Sequence, residues 1–246
     1  MRHIKPYSQL FESQQELTQE QKDWLDKCTG TDWSVNSQTG LIDVDRSFDC
    51  SKQELRDFKG VRFGHVGGIF DCSKNELKSL EGAPQSVGGY FDCSRNKLKS
   101  LEGSPHSVEG DFDCGYNQLI SLEGAPQEVG GSFLCHKNQL TSLEGAPQEL
   151  GGGFDCINNS LTSLKGAPQK VGGEFYFFKN PISNEIVIRV LRKMSDDEIT
   201  LEQAVSDLWN DILEEDRIYL AKHHPDLPPE EKKEYMTLER YKKRII

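Results

Sequence analysis

From Phe48 to Pro181 the apolar residues keep a fixed step. Phenylalanine and cysteine stand either side of one polar residue, and two leucines follow, as in Phe112, Cys114, Leu119 and Leu122. The pattern is written seven times. Cys72, Cys93, Cys114, Cys135 and Cys156 each come 21 residues after the last, Cys50 precedes Cys72 by 22, and Phe177 fills the cysteine slot of the final copy. A spacing of two predicts a short strand with Phe112 and Cys114 on one side and Asp113 on the other. One copy cannot bury its apolar side alone, so the repeat predicts a solenoid in which each copy packs on its neighbours. Successive strands would lie parallel, roughly 4.8 Å apart. Asn75, Asn96, Asn117, Asn138, Asn159 and Asn180 mark where the chain leaves the strand, and their stacked amides are expected to satisfy backbone groups of adjacent turns. The return leg, Gly-Ala-Pro-Gln-x-Val-Gly-Gly, lacks helical periodicity and carries a proline. It is expected to be extended or polyproline-like.

The flanks follow other patterns. Residues 1–16 are polar. Thr18 to Gln21 has the capping-box form, ahead of a helix with Leu17, Trp24, Leu25 and Cys28 on its apolar side and Gly30 as its stop. The stretch DWSVNSQTGLIDVDRS then alternates around a glycine, as a hairpin or a first irregular turn does. A solenoid end exposes apolar surface and a strand edge, so this helix, with Trp33 and Val35, is expected to cap it. An independent site at the two tryptophans is the alternative. Gln53 in place of Asn, and Phe58 in place of Leu, make the first copy a transition to that cap. After Pro181, Ser183, the Thr200–Gln203 capping box and Pro228–Pro229 open three helical patterns. The expected organisation is an N-terminal helix and hairpin cap (1–43), a solenoid (44–182) and a three-helix module (183–246). The last two helices exceed what sealing the solenoid requires, which leaves self-association through them open.

Composition narrows the function. The net charge is −11, and no segment is strongly basic, which disfavours nucleic acid as a partner. The opening residues have no apolar run of the signal-peptide kind, and no stretch is long and apolar enough to span a membrane, so the expected location is the cytoplasm. Six cysteines form the ladder. They lack the paired spacing of zinc sites. Neighbouring thiols could approach disulfide distance, but in a reducing compartment they are expected to act as small apolar side chains.

The unit Phe-x-Cys-x-x-Asn-x-Leu-x-x-Leu resembles the leucine-rich repeat, including the short repeats of secreted bacterial effectors. A helical start, WSVNSQTGLIDVD, FKGVRFGHVGG, the SLEGAPQ-VGG copies and Asn180–Ser183 together resemble a group of bacteriophage-encoded leucine-rich-repeat proteins. The resemblance implies an α/β repeat solenoid with a parallel sheet on its concave face. It also implies a phage protein made in the host bacterial cytoplasm.

Chemistry is sparse in the sequence. A Gly-rich phosphate loop, H-E-x-x-H and G-x-S-x-G are all missing, and no cysteine follows Cys156 to serve as the ligase nucleophile of some repeat-bearing effectors. The expectation is a protein that is not an enzyme and uses no cofactor or metal. It would bind another protein, and the resemblance suggests inhibition or redirection of a host factor; a virion or scaffold component is the rival. Two faces are candidates. Asp49, Asp71, Asp92, Asp113 and Asp155 occupy the outward strand slot, where they would serve solubility, a basic partner or weak calcium binding. Lys52, Lys74, Arg95, Lys137 and Lys179 are expected to offset their repulsion partly. Copies that break the default slots place Leu134, His136, Ile157, Tyr176 and Phe178 on adjacent strands, and these are expected to form one apolar, aromatic-bearing binding patch.

Overall fold

The structure, a computed structural model, describes residues 16–162, 164–177 and 179–181. The expectations for Phe178 and for the helical module after residue 182 lie outside the described residues. Within them the chain is a parallel β-solenoid of about six turns.

Each full turn contributes two short strands. The first strands run from Phe48–Asp49 to Phe175–Tyr176 and form a seven-stranded sheet, parallel throughout, with Phe opposite Phe in every pair. The second strands lie in the return leg, from Phe63–Val66 through Ser86–Val87 to Lys170–Val171, and build the other sheet. The return leg is therefore extended as expected, but it is paired. Gln85 N donates to Gly64 O at 2.7 Å and Gly88 N donates to Val66 O at 2.8 Å. Pro84, which has no N–H to give, sits just before the paired residues, so it costs the ladder nothing. Val87, Val108, Val129 and Leu150 turn inward from this leg and are buried.

Repetition makes the core a set of columns. The Phe rings stack along the axis from Phe48 to Phe175, with centroids 5.1–5.7 Å apart and planes within 14° of parallel. Each stack of this kind contributes roughly 0.5–1.5 kcal/mol beyond area burial. Cys50 to Cys156 form a second buried column of free thiols. Burial, with smaller contributions from neighbouring thiols and carboxylates, pushes those thiols well above their ordinary pKa, so they stay protonated and unreactive.

The asparagine column closes the strand ends. Asn117 Nδ2 donates to Cys93 O and Cys114 O, both at 3.1 Å, and its Oδ1 accepts from Leu98 N at 3.0 Å. The same geometry recurs at Asn96, Asn138 and Asn159. Each amide bridges two turns, which suits asparagine: the position uses donors and an acceptor on one short planar arm. A glycine column turns the opposite corner. Gly82, Gly103, Gly124, Gly145 and Gly166 have φ between 81° and 91°, and a Cβ on Gly103 would lie 2.8 Å from the backbone of Leu80.

The N-terminal end is covered by α1 (Gln19–Thr29), β1 (Trp33–Val35) and β2 (Ile42–Val44). Thr18 and Gln21 close both bonds of the capping box. Trp24 meets Phe48 edge-on at 5.3 Å, and its Nε1 donates to Gln53 Oε1 at 3.0 Å. Gln53 Nε2 reaches Cys28 Sγ at 3.5 Å. The first copy thus departs from Asn at the point where it must receive the helix instead of a preceding turn. Trp33 Nε1 donates to Asp26 Oδ1 at 2.7 Å, so both tryptophans hold the cap together. β1 pairs antiparallel with β2, which continues as a parallel neighbour of Phe63–Val66.

Candidate interaction face

The outer side of the Phe-led sheet is where the turns differ. Going along each copy, it presents the residue before Phe, the Asp slot, the residue after Cys, and the next residue. In the early copies those last three are Asp, Ser and a cation.

The acidic row is built into the turns. Asp49, Asp71, Asp92, Asp113 and Asp155 each accept, through Oδ1, the backbone N–H two residues on, at 2.8–2.9 Å. This is the Asx-turn chemistry that ends a strand. One oxygen of each carboxylate is therefore committed to the fold. Burial raises the pKa of Asp92 above the usual carboxylate range, helped by the charges of Asp113 and Asp71 and opposed by bonds from Ser94. Asp155 is raised for the same first reason, with Ile157 N–H and His136 pulling it back.

The expected partial offset of this repulsion by the cation column does not take the form of ion pairs. Among the described residues, no ion pair joins Lys52, Lys74, Arg95, Lys137 or Lys179 to a carboxylate. Two of them turn along the column instead. The Arg95 guanidinium lies 4.0 Å from the ring centre of Tyr116, and Lys137 Nζ lies 4.3 Å from it while donating to its hydroxyl at 2.7 Å. The bond from Lys137, then the charges of Lys137 and Arg95, lower the Tyr116 phenol. A ring between two adjacent cations satisfies them along the column, away from the acids.

Leu134, His136, Ile157 and Tyr176 are half-buried on this face. They do not form one continuous apolar surface. Leu134 pairs in register with Asp113 and Asp155, and Asp155 pairs with Tyr176, so a carboxylate separates Leu134 from Tyr176. Phe178, the fifth residue of the expected patch, lies outside the described residues. His136 belongs to a polar, aromatic group. Its ring meets Tyr116 edge-on at 5.2 Å, leans over Gly115 and brings Nδ1 within 3.5 Å of Asp155 Oδ2. That Nδ1 is shielded from solvent without a hydrogen bond. A Cβ on Gly115 would stand 2.6 Å from His136 Cε1, so the space His136 fills exists because the preceding turn lacks its serine.

The sequence reading missed Tyr116, Tyr90 and Ile69. Tyr116 was legible, since Gly115-Tyr116 breaks the Ser-Lys default as plainly as Leu134 and His136 break theirs. Tyr90 precedes its Phe in the copy and donates to Asp113 Oδ2 at 3.1 Å. Burial and the Asp113 charge raise its phenol. Ile69, in the same column, is exposed. A cavity of about 950 Å³ is lined by Thr39, Leu41, Arg62, Glu81 and Glu102, among others. Among the described residues no three His, Cys, Asp or Glu side chains converge to hold a metal, and no helix is long and apolar enough to cross a membrane.

Fold and face together define a parallel β-solenoid whose interior repeats faithfully and whose sheet face varies in its later turns. No family model matches the chain, and no curated protein or solved structure matches it either.

Proposed function

We propose that this chain is a non-enzymatic protein-binding solenoid of the leucine-rich-repeat kind, engaging its partner through turns four to six of the Phe-led sheet. One observation carries the reading. The interior of those turns keeps Phe112, Cys114, Phe133, Cys135, Phe154 and Cys156 without exception, while their outer slots change to Gly115, Tyr116, Leu134, His136, Ile157 and Asn158. The inner columns already hold the turns together, which leaves the outer slots of these turns free to serve a partner as well as one another. Half-buried Leu134 and the Tyr116–His136 pair have the aromatic and apolar character of an interface centre. On the resemblance to phage-encoded repeat proteins, the partner is a host bacterial protein met in the cytoplasm and inhibited or redirected there.

Leu134→Asp restores the default residue of its slot, so the fold should be kept, at a cost of no more than about 1 kcal/mol from the like charges of Asp113 and Asp155. Partner binding should weaken by more than about 1 kcal/mol. Affinity capture from host lysate with the parent and the variant, followed by calorimetry on the captured protein, measures this. A variant that captures and binds as well as the parent overturns the assignment of these turns.

A further inference from the structure

A column of cations runs along the solenoid one residue beyond the Ser, Gly and His positions just described. It reads Lys52, Lys74, Arg95, Tyr116, Lys137, Asn158 and Lys179, and every one has a left-handed backbone, with φ between 54° and 59°. Side chains with a Cβ enter that region at a cost; Gly is free of it and Asn is among the residues that tolerate it best. Asn158 shows that the column accepts Asn. Yet five of the seven positions hold Lys or Arg, which nothing about the backbone favours. Nor do these five form ion pairs with the protein's own acids. Among the described residues none pairs with a carboxylate, in a chain with 40 Asp and Glu against 29 Lys and Arg. By contrast Lys97, Lys165 and Lys170, at other positions of the repeat, pair with Glu76, Glu144 and Glu149.

We propose that this column is an anion-receiving track for an extended acidic segment of a partner protein, laid along the solenoid axis. The proposal rests on the protein-binding reading above and adds the chemistry of the partner. Cations stand in five of the seven turns, and Lys52, Lys74 and Arg95 occupy consecutive turns whose strands lie roughly 4.8 Å apart. Tyr116 holds Arg95 and Lys137 against its ring, and both keep further N–H groups to offer a carboxylate. The neighbouring columns decide between an acidic peptide and a nucleic acid. The carboxylate row lies three residues earlier in five of the seven copies and repels a broad polyphosphate. A peptide can set its carboxylates on the track and turn apolar or basic residues toward Leu134, Asp155 and Ile157.

The test needs no identified partner. The nitrogen-15-labelled full chain is titrated with oligoglutamate near physiological salt, where the Debye length is about 8 Å, so the net negative charge is largely screened while contact pairs persist. Amide shifts are expected to concentrate at Lys52, Lys74, Arg95, Tyr116 and Lys137. The combined Lys52→Asn, Lys74→Asn and Lys137→Asn variant is expected to weaken the apparent affinity about fivefold or more. Because Asn relieves the backbone, its Tm should be unchanged or higher. A paired-lysine control, Lys97→Gln with Lys165→Gln and Lys170→Gln, should bind like the parent. The proposal is overturned if oligoglutamate leaves these amides unmoved. It is equally overturned if the control weakens binding as much as the Asn variant, if the Asn variant loses its fold, or if single-stranded DNA of equal charge binds more tightly. Since this assay uses no partner, its failure leaves the Leu134 test standing on its own.

Discussion

The inside and the outside of the Phe-led sheet are written by the same strands and obey different rules. Phe112 and Cys114 face in, Asp113 faces out, and they are adjacent residues. The inner slots are constant because each ring and each amide is shared with the turns before and after it. A change there propagates to two neighbours. The outer slots share a backbone ladder and, in the later turns, a few side-chain contacts such as Tyr116–His136, so they can vary turn by turn at smaller cost. Variation on the outside therefore distinguishes one turn from another, whereas constancy on the inside is informative about packing.

The largest expected effect attacks the inside. Phe112→Ala opens a cavity between Phe91 and Phe133 and should destabilise by roughly 3–5 kcal/mol in urea unfolding. A loss under about 1 kcal/mol would mean that the turns collapse freely and the columns are not mutually supporting. Asn117→Ala comes next. It strands Leu98 N and weakens the satisfaction of Cys93 O and Cys114 O, at a cost of roughly 1–3 kcal/mol. Hydrogen exchange should show the loss at turns three and four first, and uniform exchange would break the nearest-neighbour picture.

Effects on the outside are smaller and of a different kind. Gly115→Ala forces the His136 ring to move, because the new Cβ would overlap Cε1. The cost should stay within about 1 kcal/mol, since the atom met is at the far end of a half-buried side chain that can rotate away. The imidazole resonances of His136 should shift strongly, and unchanged resonances would contradict the tight fit. Asp92→Asn should stabilise slightly, by about 0.2–1 kcal/mol at neutral pH, since it removes a like charge opposite Asp71 and Asp113 while Asn keeps the turn bond. The sign follows from linkage. Asp92 has a folded pKa above its unfolded value, so the ionised acid opposes folding at neutral pH, and that penalty disappears as pH falls through the raised pKa. The advantage of Asn should therefore shrink on acidification. Thermal melts across that range read it directly, and an advantage that grows in acid has the wrong sign.

Much of the inside was legible from spacing. Phe, Cys and Leu recur at intervals that admit one packing, and Asn117 stands where a bridging amide is required. The return leg was half legible. Val87 and Pro84 announce an extended segment, but pairing depends on the neighbouring turn lying at hydrogen-bond distance, which no single copy states. The outer face was the least legible. Leu134 and Tyr176 look contiguous along the repeat, yet Asp155 stands between them in register. Lys137 looks like a counter-ion for the acidic row and instead lies on Tyr116.

The sequence by itself determined the period, the inward ladder and the places where the chain bends. Those follow from local side-chain alternation and from a repeat too short to bury itself. Only the tertiary structure decided which outer residues meet. Stacking sets residues 21 positions apart side by side, and the left-handed corner after each cysteine selects which neighbour a long side chain reaches. Gly115 alone conveys nothing about His136 until the two turns lie one upon the other.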